Sequence, residues 1–234
     1  GADTNDWNPV SDKRIPARFS VDDMSGKKIC RRALQKHFGL PEDESPAVIA
    51  MVTRLVQQKG IAEVFAPMYG CLYRICTELP VQFVVLGSGE AWCENEIREL
   101  ERKLPNFKSY IGYNENLSHL MEAGADLFLM PSHYEPCGLN QIYSELYGTL
   151  PIVRRTGGLA DTVENFDGKN GGTGFVFDYI SPDAVFDAVK RAVNVFTDNK
   201  SAFSKMQRTA MQQTFSWDKS ADTYLETYKR ALEK

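Results

Sequence analysis

Residues 47–60, Ala-Val-Ile-Ala-Met-Val-Thr-Arg-Leu-Val-Gln-Gln-Lys-Gly, join an apolar run to a polar loop that ends on glycine. An apolar run without polar alternation is typical of a short strand that is buried on both faces of a parallel sheet. In such sheets ligands bind at the carboxyl ends of the strands, so the loop after the run is a candidate binding segment. This one stretch therefore predicts both a fold class and the position of a site.

The same order, an apolar run followed by a loop and a segment with helical spacing, recurs along the chain. Further strands are predicted at 81–86, 107–111, 126–130, 150–153 and 174–177, and the helices between them at 61–79, 91–103, 117–123 and 139–147. Strands that alternate with helices form right-handed βαβ units and a parallel sheet. The sequence predicts an α/β fold, a Rossmann-like parallel sheet with helices on both faces.

The segments outside this alternation have a different character. Residues 1–28 are polar and contain prolines, which predicts an irregular lead-in to a helix at about 27–38. From residue 182 onward the pattern is helical, with segments at 184–196, 201–214 and 217–232, and Ser181 and Ser216 are candidate helix caps. No linker interrupts the chain, so we assign residues 1–234 to a single domain, in which 216–234 form the C-terminal helix.

Composition excludes several classes of function. The chain has 27 Lys and Arg against 31 Asp and Glu, a net charge of -4, which disfavours a nucleic-acid partner. No apolar run reaches the ~18–20 residues that cross a bilayer. The five cysteines show no paired spacing, and the three histidines lie on different predicted elements. We therefore expect no metal site and no membrane partner, and reduced thiols favour a cytoplasmic protein.

Charged side chains and glycines cluster where the predicted strands end. Arg54 and Lys59 could neutralise a diphosphate, or they could be a solvated surface pair. Gly138 and Leu139 open a predicted helix, whose N-terminus would be an anion site. Glu135 could accept hydrogen bonds from sugar hydroxyls, or it could be a solvated loop residue. Tyr113 follows a glycine at a strand end and could stack on a nucleobase or simply pack in the wall.

Three segments together closely resemble a known family. They are residues 53–60, residues 131–139 (Pro-Ser-His-Tyr-Glu-Pro-Cys-Gly-Leu) and residues 147–163 (Tyr-Gly-Thr-Leu-Pro-Ile-Val-Arg-Arg-Thr-Gly-Gly-Leu-Ala-Asp-Thr-Val). Asp6-Trp7-Asn8-Pro9 and Phe215-Ser216-Trp217 are similar to the same family. The chain resembles the C-terminal half of bacterial glycogen synthase and plant starch synthase, which have two Rossmann-like halves in the GT-B arrangement.

The resemblance implies an activity for the longer protein of which we expect this chain to be a part, since it begins without Met. That activity is the retaining transfer of glucose from ADP-glucose to the non-reducing end of an α-1,4-glucan, with no metal or other cofactor. ADP-glucose and ADP would bind this half, and the glucan would bind mainly to the N-terminal half. The isolated fragment is expected to be inactive because the reaction needs a cleft closed by both halves.

The resemblance also implies roles for individual residues. Arg54 and Lys59 match the diphosphate-binding pair, and Glu135 matches the acid near the donor glucose; these are the expected catalytic residues. The remaining residues of the expected donor pocket are Tyr113 on adenine, Gly138, Leu139 and Asn140 at the phosphate, and Thr156, Gly157 and Gly158 lining the nucleotide.

Two departures and two rival functions remain open. Many related transferases have a second Glu where this chain has Tyr143, and Thr is common in the family where this chain has Asn140.

One rival function is that of an enzyme that uses UDP-glucose, such as a sucrose- or trehalose-phosphate-type synthase, which Tyr143 disfavours. The other is a nucleotide-binding regulatory module with no transfer activity.

Overall fold

Six strands pair in parallel in the computed structural model of the chain, which describes residues 2–215 and 217–232. They lie in the order β3-β2-β1-β4-β5-β6, and every pairing between them is parallel. The predicted α/β fold is confirmed. The strands are β1 (Ala47–Val52), β2 (Val81–Gly87), β3 (Phe107–Ile111), β4 (Leu127–Met130), β5 (Leu150–Arg154) and β6 (Phe175–Phe177).

Helices cover both faces of this sheet. Along β1, Ile49 and Met51 pack into one apolar cluster, whereas Val48 and Ala50 pack into another. Successive side chains of a strand point to opposite faces of the sheet, so an apolar strand needs an apolar cluster on each face. The helices are α1 (Ser25–His37), α2 (Ile61–Phe65), α3 (Leu72–Glu78), α4 (Ala91–Lys103), α5 (Glu115–Gly124), α6 (Asn140–Leu146), α7 (Gly157–Thr162), α8 (Pro182–Asp198), α9 (Lys200–Met211) and α10 (Trp217–Leu232).

Two predicted elements differ from the structure by more than their ends. The helix predicted over 61–79 is two helices, α2 and α3, because Pro67 follows the first and Met68 has a φ of 70°. The sequence predicts no helix over 157–162, but this segment forms the short helix α7. Ser181 caps α8 as predicted, since its hydroxyl accepts from the backbone N–H of Ala184, while the predicted cap Ser216 lies outside the described residues.

The lead-in is irregular over residues 2–24, but it is packed against the body of the protein. The Trp7 ring stacks on His119 and on Tyr143, with centroids 3.7 Å and 3.9 Å apart. The Asp12 carboxylate accepts from Tyr147 Oη at 2.6 Å and lies 2.7 Å from His119 Nδ1. Burial opposes the ionisation of Asp12, but these hydrogen bonds outweigh it and lower its pKa. The lead-in thus ties α5 to α6.

Helix α10 differs from the other long helices because its large side chains are exposed. Trp217, Tyr224, Leu225 and Tyr228 all lie largely in solvent. No described helix is both long enough and apolar enough to cross a bilayer.

Glu145 on α6 is a carboxyl group that is buried at the amino-terminal side of the sheet's last strands. Its Oε1 accepts from Thr173 Oγ1 at 2.6 Å, whereas Oε2 has no partner among the described residues. Burial raises the pKa of Glu145 to about 8, and the Thr173 hydrogen bond only partly offsets this effect. The group is therefore protonated in the folded protein near neutral pH.

Replacing Glu145 with Gln should flatten the pH dependence of stability. The carboxyl has a pKa of about 8 when folded against 4.5 for an ordinary Glu. Its stabilising contribution is therefore complete below the lower value and is lost as pH rises through the upper one. We expect the free energy of unfolding in urea to fall from about pH 5 to about pH 8 in the wild type and less in Glu145→Gln.

The exposed Glu42→Gln variant is the matched control, and its stability should follow the wild type at each pH. Parallel stability curves for the wild type and Glu145→Gln would show that Glu145 ionises normally in the folded protein.

Candidate functional site

Two adjoining cavities lie at the carboxyl edge of the sheet, where the loops after β1, β2, β3 and β4 meet. The first, the β1–β4 cavity, has a volume of about 180 Å³, and the second, the β1–β2 cavity, has a volume of about 240 Å³. Arg54 and Asn140 line both. A ligand with two unlike parts could therefore extend from one cavity into the other past these two residues.

The structure brings most of the predicted site residues to these cavities. Arg54, Lys59, Glu135, Gly138, Leu139 and Asn140 line the β1–β4 cavity, and Tyr113 lines the β1–β2 cavity. These residues come from three separate loops, so the sheet topology and not proximity in sequence assembles them. Their roles in binding or chemistry remain predictions.

The loop after β1 is fixed by its close approach to the loop after β4. Gly60 has a φ of 73°, and a Cβ there would lie 2.0 Å from the carbonyl oxygen of Pro131. A side chain at this position would push the two loops apart. Arg54 precedes this contact, and its exposed guanidinium has no ion-pair or hydrogen-bond partner among the described residues.

Lys59 and Glu135 form an ion pair between these two loops. The side chains are 17% and 10% exposed, so water screens the pair less than it screens a surface pair. The sequence predicts separate roles for the two residues, a cation for phosphate and an acid for sugar hydroxyls. In the structure each neutralises the other, which answers why an acid lies beside a candidate anion site.

Three hydrogen bonds hold the backbone of the loop after β4. The N–H of His133 donates to the Gln58 carbonyl at 2.8 Å, and Gln58 Nε2 donates to the Tyr134 carbonyl at 2.9 Å. Arg154 Nη1 donates to the His133 carbonyl at 2.6 Å. Gln58 and Arg154 therefore position the loop, a role that sequence reasoning missed because it depends on contacts between distant segments.

Helix α7 supports the same loop from the other side. The N–H of Gly158 donates to the Glu135 carbonyl at 3.0 Å, and a Cβ at Gly157, whose φ is 44°, would lie 2.1 Å from that oxygen. Thr156, Gly157 and Gly158 line neither of the two cavities formed by the described residues. In this structure Gly157 and Gly158 lie against the backbone of the loop after β4, and the expected role of the three residues in the nucleotide pocket remains a prediction.

The start of α6 borders both cavities. Its first N–H groups have no acceptor within the helix, so they can bind an anion, and the helix dipole favours negative charge there. Asn140 Nδ2 donates to the Val52 carbonyl at 2.7 Å, which ties the helix start to the end of β1. The second N–H of this amide is available to a ligand.

Tyr113 contributes an aromatic surface to the β1–β2 cavity. The residue is 83% exposed, and its hydroxyl donates to the Glu115 carboxylate, which raises the pKa of the phenol. This bond anchors the edge of the ring and leaves its faces accessible.

Polar residues for which the sequence predicts no role also line the two cavities, namely Ser132 and Ser88, Asn114 and Ser118.

One group of potential metal ligands occurs among the described residues, formed by Asp6, Glu115 and His119. All three members already have partners: Arg14 Nη1 donates to Asp6 at 2.6 Å, Tyr113 donates to Glu115, and His119 Nδ1 lies 2.7 Å from the Asp12 carboxylate. A cation there would compete with the Arg14 guanidinium, so this group is a poor metal site.

The chain is similar to known glycosyltransferases over its whole length. It is 54% identical to the glycogen synthase of Treponema denticola over 235 residues and 49% identical to glycogen synthase 1 of Geobacter metallireducens over 236 residues. Each alignment covers 100% of this chain but only 48% and 46% of the relative. The chain thus spans about half the length of these relatives and corresponds to their C-terminal half.

A solved structure has the same fold. The catalytic domain of starch synthase IV from Arabidopsis thaliana, bound to ADP and acarbose, matches 100% of this chain with a TM-score of 0.90 and 34% identity. Sucrose-phosphate synthase from Thermosynechococcus elongatus, at 21% identity and a TM-score of 0.61, shares the fold. Residues 34–206 match the model of the family described as glycosyl transferases group 1. The chain therefore belongs to the group 1 glycosyl transferase family.

Proposed function

We propose that this chain is the nucleotide-sugar-binding half of an ADP-glucose-dependent glycogen or starch synthase. The whole protein would transfer glucose, with retention of configuration, from ADP-glucose to the non-reducing end of an α-1,4-glucan. The observation that carries the proposal is the meeting of Arg54, Lys59 and the start of α6 on one cavity that adjoins Tyr113. The relatives named glycogen synthase support the reaction, and the ADP-bound neighbour supports the nucleotide.

The junction of the two cavities suits a diphosphate. Arg54 offers a forked set of N–H donors that no described carboxylate occupies. Gly138, Leu139 and Asn140 at the start of α6 line the same cavity, and the first N–H groups of a helix have no acceptor within it. Charge develops on the diphosphate as the bond to glucose breaks, so donors that are already in place stabilise the departing ADP.

Lys59 and Glu135 would act as a pair at the glucose end. The Lys59 ammonium would donate its remaining N–H groups to the leaving diphosphate, while Glu135 holds its side chain in place. Glu135 has further lone pairs for the hydroxyl groups of the donor glucose. In this proposal the pair supplies hydrogen-bond donors to the diphosphate and acceptors to the glucose hydroxyl groups.

Tyr113 would stack on adenine at the other end of the donor. Its position on the β1–β2 cavity would leave the diphosphate between the base and the sugar, in the order that ADP-glucose requires.

The α-1,4-glucan would bind mainly to the other half of the protein, and this half alone would be inactive. We further propose that the reaction uses no metal or other cofactor, and that the enzyme is cytoplasmic and binds neither nucleic acid nor membrane.

Two other functions make different predictions. An enzyme that uses UDP-glucose would have the same fold, but Tyr143 stacks on Trp7 here, where many such enzymes are expected to have a second acid. Competition between ADP-glucose and UDP-glucose for the full-length protein separates these two. A regulatory module would bind ADP but transfer no glucose to glucan.

Arg54→Ala in the full-length protein should lower kcat/KM for ADP-glucose by about 100-fold or more, because an aligned donor to the leaving group is lost. The measurement is ADP release with glycogen as acceptor. Arg155→Ala is the matched control, since Arg155 pairs with Asp178 at 2.7 Å and lines neither cavity. Near wild-type activity of Arg54→Ala would refute the diphosphate role.

Tyr113→Ala should raise KM for ADP-glucose about tenfold or more with little change in kcat, because stacking on a base contributes about 1–3 kcal/mol to binding. Tyr113→Phe keeps the ring and loses only the bond to Glu115, so its KM should stay close to that of the wild type. Equal effects of both variants would mean that the hydroxyl, and not the ring, holds the donor.

A further inference from the structure

A third cavity lies at the opposite, amino-terminal edge of the sheet, between α1 and α9. Its volume of about 680 Å³ exceeds that of either cavity at the candidate site. Asp126, which directly precedes β4, is part of its wall and fixes its place at this edge. Six basic side chains line this cavity, which we call the basic pocket: Lys27, Lys28, Arg31, Arg32, Lys200 and Arg208.

The basic pocket has an excess of positive charge in a chain whose net charge is -4. Its two acidic residues each pair with one arginine: Asp126 with Arg31 at 3.1 Å, and Glu44 with Arg32 at 3.0 Å. The remaining cations are not neutralised in this way. Lys28, Lys200 and Arg208 have no carboxylate within ion-pair distance among the described residues.

Lys27 is a structural residue behind this surface. Its buried Nζ donates to the Tyr147 carbonyl at 2.9 Å, to Thr149 Oγ1 at 2.7 Å and to the Ala123 carbonyl at 3.1 Å. All three of its donors are therefore used. Its charge adds to the field of the basic pocket, but its ammonium has no N–H left for a ligand.

The exposed residues of the basic pocket have donors for a ligand. Lys200 Nζ lies 3.4 Å from the centroid of the Phe196 ring, which holds the ammonium at the pocket wall. Arg208 Nη1 donates to the Val21 carbonyl at 2.5 Å, which fixes the guanidinium and leaves its other N–H groups available. Lys28, Ser45 and Ser204 are exposed beside them.

We propose that the basic pocket binds a small molecule that carries one or more phosphate groups, at a site separate from the donor cavities. Its volume is within the range of small-ligand sites, and convergent Arg and Lys donors are suited to phosphate oxygens. A long polyanion is disfavoured because the chain as a whole is acidic. The inference does not depend on the proposed reaction.

Calorimetric titration of the full-length protein tests this site. The probes are pyrophosphate, glucose 1-phosphate and inorganic phosphate, with glucose as the uncharged control, and each titration is done with saturating ADP to occupy the donor cavities. The pocket variant is Lys28→Ala/Lys200→Ala. The matched control, Lys36→Ala/Lys205→Ala, removes the same charge from the same two helices at exposed positions outside the basic pocket.

We expect at least one phosphate probe to bind the wild type and the control variant equally, to bind the pocket variant at least about tenfold more weakly, and glucose not to bind. The strongest probe then tells whether free phosphate or a phosphorylated sugar is preferred. The proposal is overturned if no probe binds, if both variants weaken binding equally, or if an RNA homopolymer binds at this site more tightly than the small probes. A loss of glucosyl transfer in Arg54→Ala has no bearing on these outcomes, so the two proposals fail independently.

Discussion

The contact between the loop after β1 and the loop after β4 is the constraint on which the candidate site depends. At Gly60 the backbones approach too closely for any side chain, and one residue earlier Lys59 pairs with Glu135. Without this contact the cation near the diphosphate position and the acid near the sugar position would move independently. The order β2-β1-β4 makes the contact possible because it places β1 beside β4, although α2 to α5 separate them along the chain.

The rest of the structure supports this contact from three directions. Helix α7 holds the Glu135 carbonyl, and Arg154 at the end of β5 holds the His133 carbonyl. Asn140 joins the start of α6 to the end of β1. On the far side of α6, the lead-in packs Trp7 against Tyr143. A site that must orient a diphosphate and a sugar within fractions of an ångström needs such rigid support.

Most of the strands could be predicted from sequence because they are short apolar runs bounded by turn-forming or charged residues, a local signal. The site could be located because the carboxyl ends of parallel strands share one edge. The pairing of Lys59 with Glu135 could not be predicted, since 76 residues separate them and either side chain alone is consistent with a solvated surface. The resemblance implies that Gly157 and Gly158 line the nucleotide pocket, but no local signal in the sequence shows that the backbones of Glu135 and Cys137 lie against them in this structure. The packing of Trp7 could not be predicted either, because its partners come from α5 and α6, which are distant along the chain.

The most direct test of the account is a crystal structure of the full-length protein with ADP bound. The account predicts that the diphosphate lies within about 3 Å of the Arg54 guanidinium and of the first N–H groups of α6, with adenine on the Tyr113 ring. Diphosphate density at any other place, such as the basic pocket between α1 and α9 with the donor cavities empty, would contradict it.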